Sequence, residues 1–563
     1  MFVSTFKKKL LFFLLFFIIV FLIKIILFYP VYMSNNIIID FAIHPFIINK
    51  EYPNTWSIIK LTYLIFSFIN YLIFFNYFYS LIFSKKNKLN NTSNQNITNL
   101  NLLIGKDING NNLYLEEHAL YQNILVTGTI GSGKTSSALY PFTEQLINYK
   151  NKFNKKLGIL ILDVKGNYHK YVNILCKKYN REKDLIVLSL NSNIKYNPLD
   201  KPNLKASILA NRLKTILTLF SPNNGESYWL DKCEQILTEC IKLCRLYNNN
   251  YVTFLEIHKL VSEPNYYKSK ISDLRGKFIS GIFSKEDCFN LLTSITFFEK
   301  EFFQLDSRTM SILKSEITRI TGCFTSDYQV QNTFCPPQKE ITFYGFTDLI
   351  NTGKILVLNM NISEFKNLSK IIATYLKLDF QTEVLNRLSY LSSNSINSVA
   401  FICDEYQEYV TSTDADFFSQ CREAKCINII STQSYTSILN SLNNQNATKT
   451  IIQNLVNKLW FRTDDIFTIE DIQKQIGKEE KTKISKTISE NAKTTNFNIF
   501  TKKFNSIDSN LSESINTYSQ LDYIYDTNFF TQKLEIFSCV AFISDGSKIL
   551  PPQQIKMLPY FKN

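Results

Sequence analysis

The sequence has no CxxC pair: its 11 cysteines are scattered, and none of its 4 histidines falls at a zinc-ligand spacing from them. That excludes a zinc-finger or zinc-ribbon organisation, and unpaired cysteines spread in this way point to a reducing compartment. Cys240 and Cys244 share one helical face, and Cys421 and Cys426 flank the start of a strand, positions that suit small buried residues better than metal ligands. No internal repeat is visible either, so 563 residues and 65.6 kDa require an anchor plus two or more different soluble units rather than one ordinary core. Acidic excess is absent as well. The formal net charge is +14 and the isoelectric point about 9.0, a balance that fits a phosphate-bearing partner or an anionic membrane face. Lys, Asn, Ile, Phe and Tyr are all over-used, as in any AT-rich coding sequence, so charge by itself does not identify the partner. Hydrophobic residues make up 45% of the chain while mean hydropathy is only -0.07, so the apolar content is concentrated rather than spread.

Much of it lies in the first ninety residues. Leu10 to Tyr29 is an apolar run of the length that crosses a bilayer as a helix, broken only by Lys24 near its far end, where a long side chain reaches the interface. Lys7, Lys8 and Lys9 would serve a cleaved signal peptide, but the run is too long and no small-x-small cleavage site follows. A second run, Leu61 to Phe83, is followed at once by Lys85, Lys86 and Lys88. Basic clusters bracket the pair, so the expectation is a transmembrane hairpin over residues 1–89, with spans 10–29 and 61–83. Both of its ends face the cytoplasm, as does the rest of the chain. That places the protein in the inner (cytoplasmic) membrane as a multi-pass protein in contact with lipid. The Asn-rich stretch 90–101 reads as a linker.

Gly128, Thr129, Ile130, Gly131, Ser132, Gly133, Lys134 and Thr135 form a GxxxxGK[ST] loop between the strand-like Asn123 to Thr127 and a helix-capable run that starts at Ser136. Glycines let backbone N–H groups wrap phosphates, Lys134 reaches the β- and γ-phosphates, and Thr135 ligates Mg2+. Such a loop needs a second carboxylate at the end of a neighbouring parallel strand. Ser398 to Cys403 followed by Asp404 and Glu405 supplies it, with Asp404 on Mg2+ and Glu405 as general base for the attacking water. The strand-like Cys426 to Ile430 ends in Ser431, Thr432, Gln433 and Ser434. Gln433 is the candidate to touch the γ-phosphate or the lytic water, a helix cap being the alternative for such a polar cluster. Arg422 is the candidate cationic finger that reaches the γ-phosphate of an adjacent subunit.

Together these residues resemble the TraG/TraD-type coupling proteins of type IV secretion systems. After Gly158 to Leu162 comes Asp163-Val164-Lys165-Gly166, similar to the family's DxKGE with Asn167 in place of the usual Glu. Tyr196-Asn197-Pro198-Leu199 resembles the NPL element before the family's inserted helical domain, Tyr228-Trp229 an aromatic marker inside it, and Thr468 to Gly477 the segment after the last core strands. The resemblance implies an α/β fold: a RecA-like P-loop NTPase domain with an inserted all-α domain behind the two-helix hairpin. Its parts would be residues 90–200, the insertion 201–335 and the second half 336–563. It implies a homo-hexameric ATPase, with ATP and Mg2+ as cofactors, that pushes relaxase-bound single-stranded DNA or effector proteins into a type IV secretion channel, beside that channel's inner-membrane components. The residues agree with an insertion, since Ile236, Leu237, Cys240, Ile241 and Cys244 keep helical spacing and strand character resumes at Ile355 to Met360.

Two further readings stand beside it. One is another membrane-tethered motor: an FtsK-type translocase, whose usual additional spans and terminal winged-helix reader are not evident, or a pilus-assembly ATPase, against which the two-span hairpin and the long helical insertion favour coupling. The other is a non-hydrolysing receptor that uses nucleotide only to hold a ring together. The Lys-, Thr-, Ser- and Asn-rich stretch 478–520 reads as a flexible solvated loop, or more sharply as a basic loop on a DNA path.

Overall fold

The computed structural model describes residues 100–562 apart from 221–226, 391–395, 491–494, 499–502 and 507–510, together with a few residues between 54 and 66. The first candidate span, 10–29, lies outside the described residues and the second, 61–83, almost wholly so; among those described, no helix is long and apolar enough to cross a membrane.

Short, uninterrupted apolar runs build the centre. In chain order the strands are β1 (Leu102–Asp107), β2 (Asn112–Leu115), β3 (Ile124–Thr127), β4 (Gly158–Leu162), β5 (Leu185–Leu188), β6 (Ile355–Leu358), β7 (Val399–Cys403), β8 (Cys426–Thr432) and β9 (Asn457–Trp460), followed after an excursion by β14 (Ser538–Phe542) and β15 (Gln553–Lys556). They form one 11-stranded sheet in the order β2-β1-β15-β14-β9-β3-β8-β7-β4-β6-β5. From β9 to β5 every ladder is parallel, whereas β14, β15, β1 and β2 add an antiparallel flank.

The parallel strands read as continuous hydrophobic runs because both sheet faces are covered. Leu160 and Leu162 of β4 enter one core, Ile159 and Ile161 the other; Phe401 and Cys403 of β7 are likewise opposed by Ala400 and Ile402. One face is closed by the helices Tyr140–Asn148 and Tyr168–Lys178. The other carries the helices inserted between β5 and β6, from Ala206–Thr218 through Ser227–Tyr247 to Tyr328–Phe334, with Ile236, Leu237, Cys240, Ile241 and Cys244 all buried. The insertion shares a single hydrophobic cluster with the sheet. The tetrapeptide at its entrance is built in: Asn197 donates to the Val252 carbonyl at 2.8 Å while its own oxygen accepts from Leu199 N at 3.0 Å. Tyr228 and Trp229 meet edge to face, centroids 5.3 Å apart, at the start of the long helix Ser227–Tyr247.

The expectation of a flexible loop at 478–520 is corrected. β10 (Lys478–Glu490) and β13 (Leu511–Tyr523) pair antiparallel over 13 residues, with a small hairpin of β11 (Thr495–Asn498) and β12 (Lys503–Ser506) beyond them. Period-two alternation of Ile and Thr among charged residues is what such a ribbon needs, and the abundance of Lys, Ser and Asn hid it. Ile484, Ile488, Ile515 and Leu521 share one face of the ribbon and are more than half exposed.

Candidate nucleotide-binding site

β3 delivers Gly128 at the carboxyl edge of the parallel sheet, and the loop turns directly into a helical segment, Thr135–Leu139, that runs on as Tyr140–Asn148. Gly131 and Gly133 have φ of +79° and +99°, conformations that a side chain disfavours. Lys134 is 6% exposed and folds back on its own loop, donating to the carbonyls of Gly128 and Thr129. Burial lowers its pKa, while Glu405 and Asp404 oppose the shift and Lys165 adds to it.

The acid pair does not sit on the strand next to the loop, as the sequence reading supposed. β8 lies between β3 and β7, so the carboxylates reach across an intervening strand. The reach is short enough: Thr135 Oγ1 donates to Asp404 Oδ2 at 2.9 Å. Asp404 is buried, its backbone N–H donates to the Leu162 carbonyl, and Glu405 N donates to its second oxygen. Glu405 has a φ of 50°, a sparsely populated conformation of the kind that clusters at functional sites. Its Oε2 accepts from Gln433 Nε2 at 3.1 Å and from Gln407 Nε2 at 2.7 Å. Gln433 is therefore drawn to the acid, and the helix-cap role falls to Ser434, whose Oγ accepts from Ser437 N. Gln407, which also accepts from Thr432 Oγ1 at 3.0 Å, was missed. Its only signal was its place two residues after Glu405.

Arg422 is not brought here. It is exposed, just ahead of β8 at the opposite edge of the sheet, with a 3.5 Å contact to the Gly546 carbonyl. The arginine beside the loop is Arg462, after β9: its carbonyl accepts from Thr129 N, and the residue is among those lining a cavity of about 550 Å3 with Ile130, Gln433, Asp464 and Asp465. Asp163, after β4, accepts from the N–H groups of Lys165, Asn167 and Tyr168, so it shapes the turn into the next helix. Asn167 is exposed and contributes its backbone to that turn.

Thr135 and Asp404 offer hard oxygen donors of the kind Mg2+ takes. The pKa of Asp404 is raised, first by burial and then by the like charge of Glu405, a cost that a bound cation relieves. The carboxyl thus holds its proton more firmly in the folded chain than in the unfolded one. Its contribution to stability is complete below the unfolded value near 3.8 and is lost as pH rises through the raised folded value. Asp404→Asn is therefore expected to raise the melting temperature of the nucleotide-free chain at neutral pH by about 1–2 °C, a gain that shrinks toward pH 4; a scanning calorimetry series over pH checks both.

The segment 398–522 matches the family model described as the TraM recognition site of TraD and TraG. No curated protein matches the chain. Among solved structures it is similar to the bacterial conjugative coupling protein TrwBdeltaN70 in its unbound monoclinic form, at 11% identity and a TM-score of 0.54, over 84% of this chain and 91% of that one. The plasmid coupling protein TrwB in complex with the GTP analogue GDPNP gives 12% and 0.51 over 79% and 87%. The same protein in complex with ADP and Mg2+ gives 12% and 0.51 over 84% and 91%. At such identities the likeness is one of fold.

Proposed function

We propose that this chain, similar to the TraG/TraD-type coupling proteins of type IV secretion in family match and in fold, is a P-loop ATPase that drives a polymer into a secretion channel. The observation that carries the reading is the 2.9 Å contact between Thr135 and Asp404. It joins a phosphate-binding loop to an acid pair 269 residues away in sequence, with Gln433 on the second acid. TrwB in complex with GDPNP and with ADP and Mg2+ supports the same ligands here.

In this reading the backbone N–H groups of residues 131–136 hold the phosphates, and Lys134 exchanges its carbonyl partners for β- and γ-phosphate oxygens. Thr135 and Asp404 would hold Mg2+, which when bound would neutralise charge developing on the phosphates. Glu405, steered by Gln433 and Gln407, takes the proton of the attacking water. Assembly as a homo-hexamer in the inner membrane, with the hairpin 1–89 as anchor, belongs to the same proposal. So do Arg422 as the finger in trans, the division into 90–200, 201–335 and 336–563, and single-stranded DNA carrying a relaxase, or effector proteins, as cargo. The non-hydrolysing receptor is the weaker reading, because the loop hydroxyl, the acid pair and two glutamines on the second acid are joined in one hydrogen-bonded cluster. Full-length chain in detergent should release phosphate from ATP, and faster with single-stranded DNA; no release under either condition would remove the motor.

The ribbon bears on the cargo path. Lys483 pairs with Asp522 at 2.8 Å, Lys486 with Glu513, and Lys481 lies 3.7 Å from Glu479 while donating to the Tyr523 and Ile524 carbonyls. Lysines already facing carboxylates release few counterions on meeting a phosphate backbone. Reversing all three to Glu is expected to change single-stranded DNA affinity less than about threefold. If the lysines instead carried three phosphate contacts, the salt slope would flatten by about 2, and a titration across salt concentrations separates the two.

A further inference from the structure

The acids and Gln433 approach the phosphate loop from the β8 and β7 side of β3, and β9 and β14 lie on the other side. From that second flank an aromatic group from the far end of the chain reaches the loop. Phe537, just before β14, has its ring so close to Gly133 that a Cβ on the glycine would lie 2.5 Å from the ring's Cδ1. The residue is held in a left-handed conformation, φ 63°, unusual for a bulky side chain. Two backbone bonds maintain it: Phe537 N donates to the Ser132 carbonyl at 3.2 Å, and its own carbonyl accepts from Met557 N at 2.8 Å.

The last residues continue the contact. Tyr560 packs edge-on against Tyr140, at 5.1 Å, and Tyr171, at 5.2 Å, and those two rings stack on each other at 4.3 Å. Tyr140 opens the helix that follows the loop, so the chain's end is fastened one turn beyond Ser136. Phe561 extends from this anchor to Phe537, centroids 5.8 Å apart at 71°, and is 56% exposed. Phe537 thus lies on Gly133 itself, and Phe561 lies between that ring and the Tyr560 anchor on Tyr140, beside the start of the helix that follows the loop.

We propose that Phe561, backed by Phe537, is the platform on which the base of the bound nucleoside triphosphate stacks. The inference rests on the nucleotide-site reading above and adds what holds the nucleoside. An open aromatic face recognises any purine through its π-surface and does not read the base's edge. Adenine and guanine nucleotides therefore bind alike, and the platform is indifferent to a ligand that has phosphates but no base.

The test compares ATP, GTP and inorganic tripolyphosphate, each with Mg2+, titrated calorimetrically into the full-length chain. Phe561 is exposed, so Phe561→Ala leaves the fold in place. The substitution is expected to weaken ATP and GTP by about tenfold each and tripolyphosphate not at all, with Phe561→Trp restoring both nucleotides. A parent chain that binds ATP and tripolyphosphate, with a Phe561→Ala variant that binds ATP as tightly as the parent, overturns the platform alone. Equal weakening of tripolyphosphate also overturns it, by showing that the ring acts on the phosphate cradle. A parent chain that binds none of the three overturns the nucleotide site and the platform with it.

Discussion

Glu405→Gln is expected to lower the rate of phosphate release from ATP by about 10²–10⁴-fold, the usual contribution of a positioned general base, while nucleotide still binds. Glutamine keeps the size of the side chain and can still accept from Gln433 and Gln407, which donate to Glu405 Oε2 at 3.1 and 2.7 Å, but it cannot take a proton. Lys134→Ala should behave differently. It removes the cation from a loop whose backbone alone then faces the phosphates, so binding and turnover fall together. Single-turnover measurements alongside equilibrium binding distinguish the two variants. Full turnover in Lys134→Ala would end the motor reading, and unchanged turnover in Glu405→Gln would move the base elsewhere. A receptor that only holds nucleotide predicts no turnover in the parent and equal behaviour of Glu405→Gln.

Lys377→Ala carries the largest expected loss of stability. Lys377 is fully buried on the helix Ile362–Tyr390 and meets Asp414 Oδ2 at 2.5 Å, the Tyr409 carbonyl at 2.7 Å and Thr411 Oγ1 at 3.0 Å. Asp414 in turn accepts from Tyr406 OH, from Thr411 N at 2.9 Å and from Gln381 Nε2 at 2.9 Å. Burial lowers the Lys377 pKa and the adjacent Asp414 charge opposes that shift. Removing one partner leaves an uncompensated buried charge, at about 3–5 kcal/mol, or about 3–5 °C in melting temperature for a unit of this size. The network also holds the chain that leaves the acid pair, so turnover should fall further than the loss of folded protein explains. Lys377→Met paired with Asp414→Leu should recover part of the stability and none of the turnover. If the single variant melts with the parent, the ion pair is not what fixes this segment.

Two positions along the same helix, Asp379 faces the other way. It meets Lys201 at 2.8 Å, Arg212 at 2.9 Å and Tyr196 OH at 3.1 Å, and those two cations turn the upward push of burial into a lowered pKa. One helix thus fastens the residues that follow the acid pair with one buried charge and the entrance to the inserted helices with another. Neither charge was legible as anything but a polar residue in a helical stretch, since its partners lie 37 residues ahead or 167 and more behind.

What the sequence by itself determined was every feature carried by contiguous residues. The glycine-rich loop between strand and helix, the acids just after β7, and Gln433 just after β8 were each legible because turns and side chains at a strand end are local consequences of local composition. The alternating polar ribbon was local too, and it was misread only because its face pattern lies among residues common in loops. Tertiary structure alone decided the rest: that β8 stands between the loop and the acids, that Arg462 and not Arg422 lies beside the loop in its own chain, and that Phe537 packs on Gly133 with Phe561 against it. Strand order and the docking of distant ends follow from how whole faces bury against one another, and no short window of residues records which surfaces will meet.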